Sequence, residues 1–371
     1  MKILILNWRD IKNPSSGGAE ILTHEIAKGL VKKDHKVSLI SSEFPGGKKL
    51  ETIDGVRIER MGHPDARTLV FSVQFKAMLE YFRKFRGNVD LIIDEFHGNP
   101  FFSPLYMKER KVALICEVGG DLWDIAVTPP FNIFGKFMEK TLPFFYRNTL
   151  VITISNSSKK ELLDLGFKKN RVRIIPLGSS SRIVISPKKE KKPTLIFLSR
   201  ISKSKGVEDA IKSIAILKKE FPEIKLWIVG RGEKSYLKRL NDTVKKLKLQ
   251  NNIKFLGFLT EDKKEKLLEK AHILIAPSIK EGWGLTVHEA GAKMTPVVSY
   301  NVPGLRDVVK NKISGIITSE NTPESLAKTL KKVLENKIVY QKLQRGALNE
   351  RKRHNWKNTV NYFTNIISSN Y

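Results

Sequence analysis

The sequence predicts an α/β protein built from two doubly wound domains in series, each a mostly parallel sheet covered by helices. Three observations predict it. At 371 residues the chain exceeds what one ordinary core holds. Short apolar runs of strand length alternate with stretches of helical periodicity. The alternation stops once, at a charged stretch bounded by prolines, and then restarts with the same logic.

The first series of strands falls at 2–7, 37–41, 91–94, 112–116 and 151–155. Between them lie amphipathic stretches such as Ala19, Ile21, Leu22, Ile26, Leu30 and Val31, with apolar residues three and four apart. The interruption is Ser186-Pro187-Lys188-Lys189-Glu190-Lys191-Lys192-Pro193, which reads as an exposed linker. A second series follows at 194–198, 226–229, 253–255, 273–276 and 297–299, with helices over 207–219 and 323–334. The boundaries expected are an N-terminal domain over 1–182, a linker over 183–193, a C-terminal domain over 194–354, and a helix over 355–371 packed back on the body. Ligands of such sheets bind where the carboxyl ends of the strands open, so function is sought in the loops that follow strands.

Composition narrows the classes. With 41% hydrophobic and 28% charged residues the chain is globular. The start, Met1 to Asn7, meets Trp8-Arg9-Asp10 too early for a signal segment, and no apolar run reaches the roughly 18 residues of a membrane span, so the expected location is the cytoplasm. Cys116 is the one cysteine and lies in an apolar run, which reads as a buried strand residue. The net charge of +29 implies attraction to something anionic. That charge is spread over both halves without a basic tail, which favours phosphorylated ligands or an acidic membrane face over nucleic acid, with a plain solvated surface as the alternative.

Chemistry is expected at three strand ends. Ser15-Ser16-Gly17-Gly18-Ala19-Glu20 opens into a helix, where Gly17 and Gly18 let a phosphate approach the backbone; a simple turn is the alternative. Arg200 and Lys205 follow the first strand of the second domain, an arginine fork and a lysine point charge within one loop. The segment from Pro277 to Gly291 is the richest. It places Glu281 in a loop and Glu289 a turn into a helix, with the amides of Gly284, Leu285 and Thr286 open to phosphate.

Glu281 to Glu289 resembles the Glu-x7-Glu motif of glycosyltransferase family 4, the group 1 glycosyltransferases. Pro296-Val297-Val298, Pro303-Gly304-Leu305 and Gly315-Ile316-Ile317 follow in the family's order. Gly17-Gly18-Ala19-Glu20 is similar to its glycine loop, Arg200 with Lys205-Gly206 to its phosphate pair, and Ser155-Asn156-Ser157 and Arg173 to Gly178 to its interdomain approach. The resemblance implies a GT-B fold, two facing Rossmann-like domains with a cleft between them, and retaining transfer of a sugar from a UDP- or GDP-linked donor to a glycan or glycolipid acceptor. It implies no cofactor and no metal, and no Asp-x-Asp metal signature is present. Arg200 and Lys205 would neutralise the departing diphosphate. Glu281 would bond sugar hydroxyls, Glu289 the ribose, and Gly17, Gly18, Gly284, Leu285 and Thr286 would cradle the donor. Fixed cations aimed at a growing negative charge lower such a barrier.

The chain departs from the pattern in places. Glu117 stands where many members have a histidine, and His97 is a candidate substitute beside its reading as a loop residue. Leu177-Gly178 replaces the usual Asn-Gly, and Pro303-Gly304 the common Gly-Gly. A nucleotide-sugar epimerase or phosphorylase, or a non-catalytic basic binding protein, are the rival readings. The stretch 71–86 is helical, with Phe71, Phe75, Leu79 and Phe82 on one face. That face packs on the sheet or sits on an anionic membrane, which would hold the protein peripherally on the inner face of the membrane. Phe131, Phe134, Phe137, Phe144 and Phe145 pose the same question.

Overall fold

The computed structural model describes residues 1–63, 71–96, 98–126 and 128–369. It divides into two compact units, Met1–Gly178 together with the C-terminal helix from Trp356, and Ser179–Asn355.

The first unit carries an eight-stranded sheet in the order β3-β4-β2-β1-β5-β6-β7-β8. In chain order these are β1 (Lys2–Leu6), β2 (Lys36–Ser41), β3 (Leu50–Ile53), β4 (Val56–Arg60), β5 (Leu91–Glu95), β6 (Arg110–Leu114), β7 (Leu150–Thr153) and β8 (Val172–Ile174). All pairs are parallel except β3 with β4. Strands covered on both faces read as unbroken apolar runs, and Ile3 to Leu6 and Leu91 to Ile93 are accordingly buried. The β3–β4 hairpin was not expected. Its signal was Asp54-Gly55, both with positive φ (49° and 80°), the residues a two-residue hairpin turn requires.

Helix Ser72–Glu80 continues into a π turn over Tyr81–Phe85. The expected alternative that Phe71, Phe75, Leu79 and Phe82 pack on the sheet is corrected: all four are exposed, and Val73, Ala77, Tyr81 and Phe85 form the buried face. The two apolar stripes are offset by two residues, about 200° around a helix, so periodicity alone could not choose between them. Helix Phe131–Phe145 likewise exposes Phe131, Ile133, Phe134, Phe137 and Phe144. The helix Trp356–Ser368 buries Val360, Phe363 and Ile367, each worth roughly 1.5–3 kcal/mol. Val360 lies where a β-carbon on Gly29 would be 2.4 Å away, and Thr359 Oγ1 donates to the Pro176 carbonyl at 2.7 Å.

The second unit carries a six-stranded parallel sheet in the order β11-β10-β9-β12-β13-β14. Its strands are β9 (Thr194–Leu198), β10 (Lys225–Val229), β11 (Ile253–Gly257), β12 (Ile273–Ala276), β13 (Val297–Ser299) and β14 (Gly315–Ile317). The stretch expected to be an exposed linker, 183–193, is exposed or half-buried throughout and bonds to this unit. Val184 N–H donates to Ala292 and Glu190 N–H to Lys270. Lys189 Nζ donates to the Thr295 hydroxyl at 2.7 Å, and burial pushes its ammonium down to about 7. Among the described residues no helix is long and apolar enough to cross a membrane.

Candidate active site

In the second unit the strand order reverses at β9, with β10 on one side and β12 on the other. At such a switch point the loops leaving adjacent strands part and open a crevice beyond the carboxyl ends. The loop after β9 carries Arg200 and Lys205, and the loop after β12 carries Ser278 and Glu281. Lys205 Nζ bonds Glu281 Oε2 at 2.7 Å, both side chains largely buried, and Ser278 Oγ lies 3.5 Å from the same oxygen. Arg200, on the same loop as Lys205, is exposed and forms no ion pair among the described residues.

Backbone contacts hold this geometry. Gly206 has φ +70°, and a β-carbon there would stand 1.9 Å from the Pro277 carbonyl oxygen. Ile279 N–H donates to the Ser204 carbonyl at 2.9 Å. A third loop, after β13, brings Gly304 so close that a β-carbon would lie 2.1 Å from the Glu281 carbonyl oxygen. The three loops therefore touch through backbone, which requires glycine at the contacts. Gly284, with φ +87°, caps the helix Leu285–Gly291, whose first amides at Leu285 and Thr286 precede any intrahelical acceptor.

Glu289 sits on that helix, mostly buried, with Oε1 accepting from Lys264 Nζ at 3.0 Å. Burial raises its carboxyl above the usual range, and the Lys264 ammonium draws it back only in part. Lys264 also pairs with Glu261 at 2.6 Å. Burial alone would lower the lysine, yet the two carboxylates hold its proton more firmly than usual. Sequence reasoning missed Lys264, since nothing in Glu261-Asp262-Lys263-Lys264 marks one lysine over another. The structure thus joins Lys205 to Glu281, and places Gly284, Leu285, Thr286 and Glu289 on the same turn and helix.

The first unit holds the remaining expected residues. Gly17 begins the helix Gly18–Val31, but its N–H is already committed to Glu20 Oε2 at 2.6 Å, with Arg9 Nε on the other oxygen at 3.0 Å. The expectation of an open Gly17 amide is corrected for that reason: the acidic residue three positions on satisfies the helix start itself. His97 lies outside the described residues. Cys116 is buried, and burial pushes its thiol well above the usual range, with Glu95, Glu117 and Glu20 adding to the rise. The loop after β6 is fixed by buried Glu139, which accepts from Gly119 N–H at 2.6 Å and Gly120 N–H at 2.8 Å.

Comparison with known proteins identifies the family and the fold. The family described as Glycosyl transferases group 1 matches residues 181–353, and Glycosyltransferase Family 4 matches residues 16–179. The chain belongs to the group 1 glycosyltransferases. An uncharacterized glycosyltransferase of Methanocaldococcus jannaschii is 26% identical over 91% of this chain and 90% of its own length. Among solved structures, sucrose-phosphate synthase from Thermosynechococcus elongatus has a TM-score of 0.83 at 18% identity, covering 99% of this chain and 98% of that one. Anabaena HepE in complex with UDP-glucose has a TM-score of 0.77 at 18% identity, covering both chains fully. These likenesses establish the GT-B fold with its two Rossmann-like domains. In a group 1 glycosyltransferase of this sequence, the β9, β12 and β13 loops are the parts the fold brings together at a strand-order reversal.

Proposed function

We propose that the protein transfers a sugar, with retention of configuration and without a metal, from a UDP- or GDP-linked donor to a glycan or glycolipid acceptor. The observation that carries this reading is the Lys205–Glu281 pair at 2.7 Å, which joins a cation and a carboxylate from two strand ends at the switch point. A nucleotide-sugar donor needs both kinds of group. As the bond from the anomeric carbon to the diphosphate oxygen breaks, the leaving diphosphate gains charge that Arg200, Lys205 and the amides of Leu285 and Thr286 stabilise. Glu281 bonds sugar hydroxyls and Glu289 the ribose. The acceptor oxygen forms the new bond on the face the diphosphate leaves, and its proton passes to that diphosphate. The binding of UDP-glucose by a protein of the same fold supports a nucleotide-sugar donor here. Gly18 and His97 are proposed as further donor contacts. The exposed phenylalanines of helix Phe131–Phe145 support an acceptor carried at a membrane surface.

The test is incubation with UDP- and GDP-sugars, with and without EDTA, against soluble and lipid-linked acceptors, followed by product NMR. Expected are the donor's anomeric configuration in the product, no loss with EDTA, and a preference for the lipid-linked acceptor. Arg200→Ala or Lys205→Ala should lower kcat by about 10²–10³, the scale of removing one stabiliser of a developing anion. Glu281→Ala should keep nucleotide binding and lose turnover. Donor consumption that ignores the acceptor would favour an epimerase or phosphorylase, and absence of any turnover would favour a binding protein.

A further inference from the structure

Lys264 belongs to none of the loops assigned to the donor, yet it touches one of their carboxylates. It stands in the first turn of the helix Glu261–Lys270, which follows β11, and reaches across to Glu289 on the helix Leu285–Gly291, which follows β12. Its ammonium donates to Glu289 Oε1 at 3.0 Å and pairs with Glu261 at 2.6 Å. The Lys264 side chain is 14% exposed, against 15% for Glu289 and 72% for Glu261. The lysine therefore bridges a buried carboxylate and a solvated one. We infer that Lys264 is a positioning residue for the donor: it holds Glu289 as a carboxylate with one oxygen fixed, so that this side chain accepts hydrogen bonds from the ribose hydroxyls of a nucleoside diphosphate. The inference rests on the reading of Glu289 as the ribose contact.

The surroundings of Glu289 make the lysine necessary. A carboxylate withdrawn from water keeps its charge only beside a cation or several donors. Glu289 Oε2 is buried and has no hydrogen-bond partner among the described residues, so the compensation falls on Oε1. Burial raises the carboxyl above its usual range, Lys264 draws it down, and Glu261 and Glu265 push it up again. Glu265 is itself paired with Lys293 at 2.9 Å. On the turn before the helix, Glu281 is paired with Lys205. The helix Lys337–Arg353 also packs against Leu285–Gly291, but its Arg351, with His354 and Lys310, faces His288. Of these groups Lys264 alone pairs with Glu289 among the described residues. Without it the carboxyl would take up a proton, and a neutral acid accepts from a hydroxyl less strongly than a carboxylate does.

The test uses the full chain and titration calorimetry with UDP, GDP and pyrophosphate, the last of which carries no ribose. Affinities are compared with the wild type at each pH between about 6 and 8.5, and melting curves show that each variant folds. Lys264→Met should weaken whichever nucleotide the wild type binds more tightly by about tenfold at about pH 7, and should leave pyrophosphate unchanged. The loss should shrink as rising pH ionises Glu289. Lys264→Gln, which keeps a donor without the charge, serves where Lys264→Met does not fold. Lys264→Arg restores the cation and should bind the nucleotide as the wild type does, as should Lys263→Met at the exposed neighbour. Glu289→Gln should weaken the nucleotide to a similar degree, and adding Lys264→Met to it should bring no further loss. A wild type that binds neither UDP nor GDP, or unchanged affinity in Glu289→Gln, overturns the ribose reading and this inference with it. Glu289→Gln that loses affinity beside Lys264→Met that keeps it overturns the role of the lysine alone. An equal loss of pyrophosphate, an equal loss in Lys263→Met, or a loss that pH does not lessen overturns that role too.

Discussion

At Gly304 the carbonyl of Glu281 approaches so closely that a β-carbon would stand 2.1 Å from its oxygen and 2.7 Å from the Gly282 carbonyl carbon. The residue also has φ +79°, which L side chains rarely adopt. Gly46 has the same φ of +79° with nothing within 4 Å of its missing β-carbon, so the pair separates strain from collision. Gly46→Ala should cost about 1 kcal/mol, the left-handed penalty alone. Gly304→Ala should cost that plus roughly 1–3 kcal/mol of overpacking, and should lower turnover by displacing Glu281 from Lys205. Urea denaturation and initial rates on both variants check this, and matching losses in the two would remove the collision argument. The Pro303-Gly304 pair was visible in the sequence. Which carbonyl demanded the glycine was not, because the contact joins loops more than twenty positions apart.

Between elements, the helix Leu285–Gly291 is locked to the end of the helix Lys337–Arg353 by aromatic packing. The His288 ring stacks on His354 with centroids 4.2 Å apart, and Trp283 lies 5.8 Å from each. Arg351 fastens the turn through the carbonyls of His354 at 2.7 Å, Ser179 at 2.8 Å and Ser181 at 3.0 Å. Burial, and then His354 and Arg351, hold His288 well below its ordinary 6.5. Burial likewise lowers His272. Above pH 6.5 both the folded and unfolded chains carry these rings neutral. Below it the unfolded chain takes up protons that the folded one refuses, so stability is present at higher pH and falls as pH drops toward the depressed folded value. Melting temperature should therefore decline between about pH 7.5 and 5, and His288→Phe should flatten the decline while His272 keeps part of it. An unchanged slope in His288→Phe would mean that the stack does not titrate as described. None of this was legible beforehand, for a histidine inside a Glu-x7-Glu segment carries no mark of its stacking partner 66 positions on. The strands were legible because strands covered on both faces must be apolar throughout. The helix at 72–85 was legible as a helix and not as a face, since it offers apolar stripes on opposite sides.

Across the whole chain the restart of the strand–helix rhythm after residue 193 marked a second sheet, while the stretch before it did not show which unit it bonds to. Its lysines and prolines look like a solvated tether, but Lys189 places its long side chain into the second unit and gives up part of its basicity. Charge of that kind is the molecule's largest unbalanced quantity, at +29. Ion pairs such as Lys192–Glu223 and Arg239–Glu208 lie on the surface, where each is worth about 0–1 kcal/mol. They offset little of the repulsion among the cations left over. Unfolding spreads those charges apart, so repulsion favours the unfolded chain, and salt that screens it should favour the folded one. Raising sodium chloride from about 20 to about 200 mM shortens the screening length toward 7–10 Å. The melting temperature should then rise by roughly 2–4 °C for each kcal/mol of repulsion relieved. Chloride is the salt to use, because phosphate or sulfate also strengthens apolar burial by exclusion from the protein surface and would mix that effect with screening. Scanning calorimetry at fixed pH decides the matter: a melting temperature that falls with sodium chloride would show that attractive pairs outweigh the excess charge, and that the positive surface carries no cost to the fold.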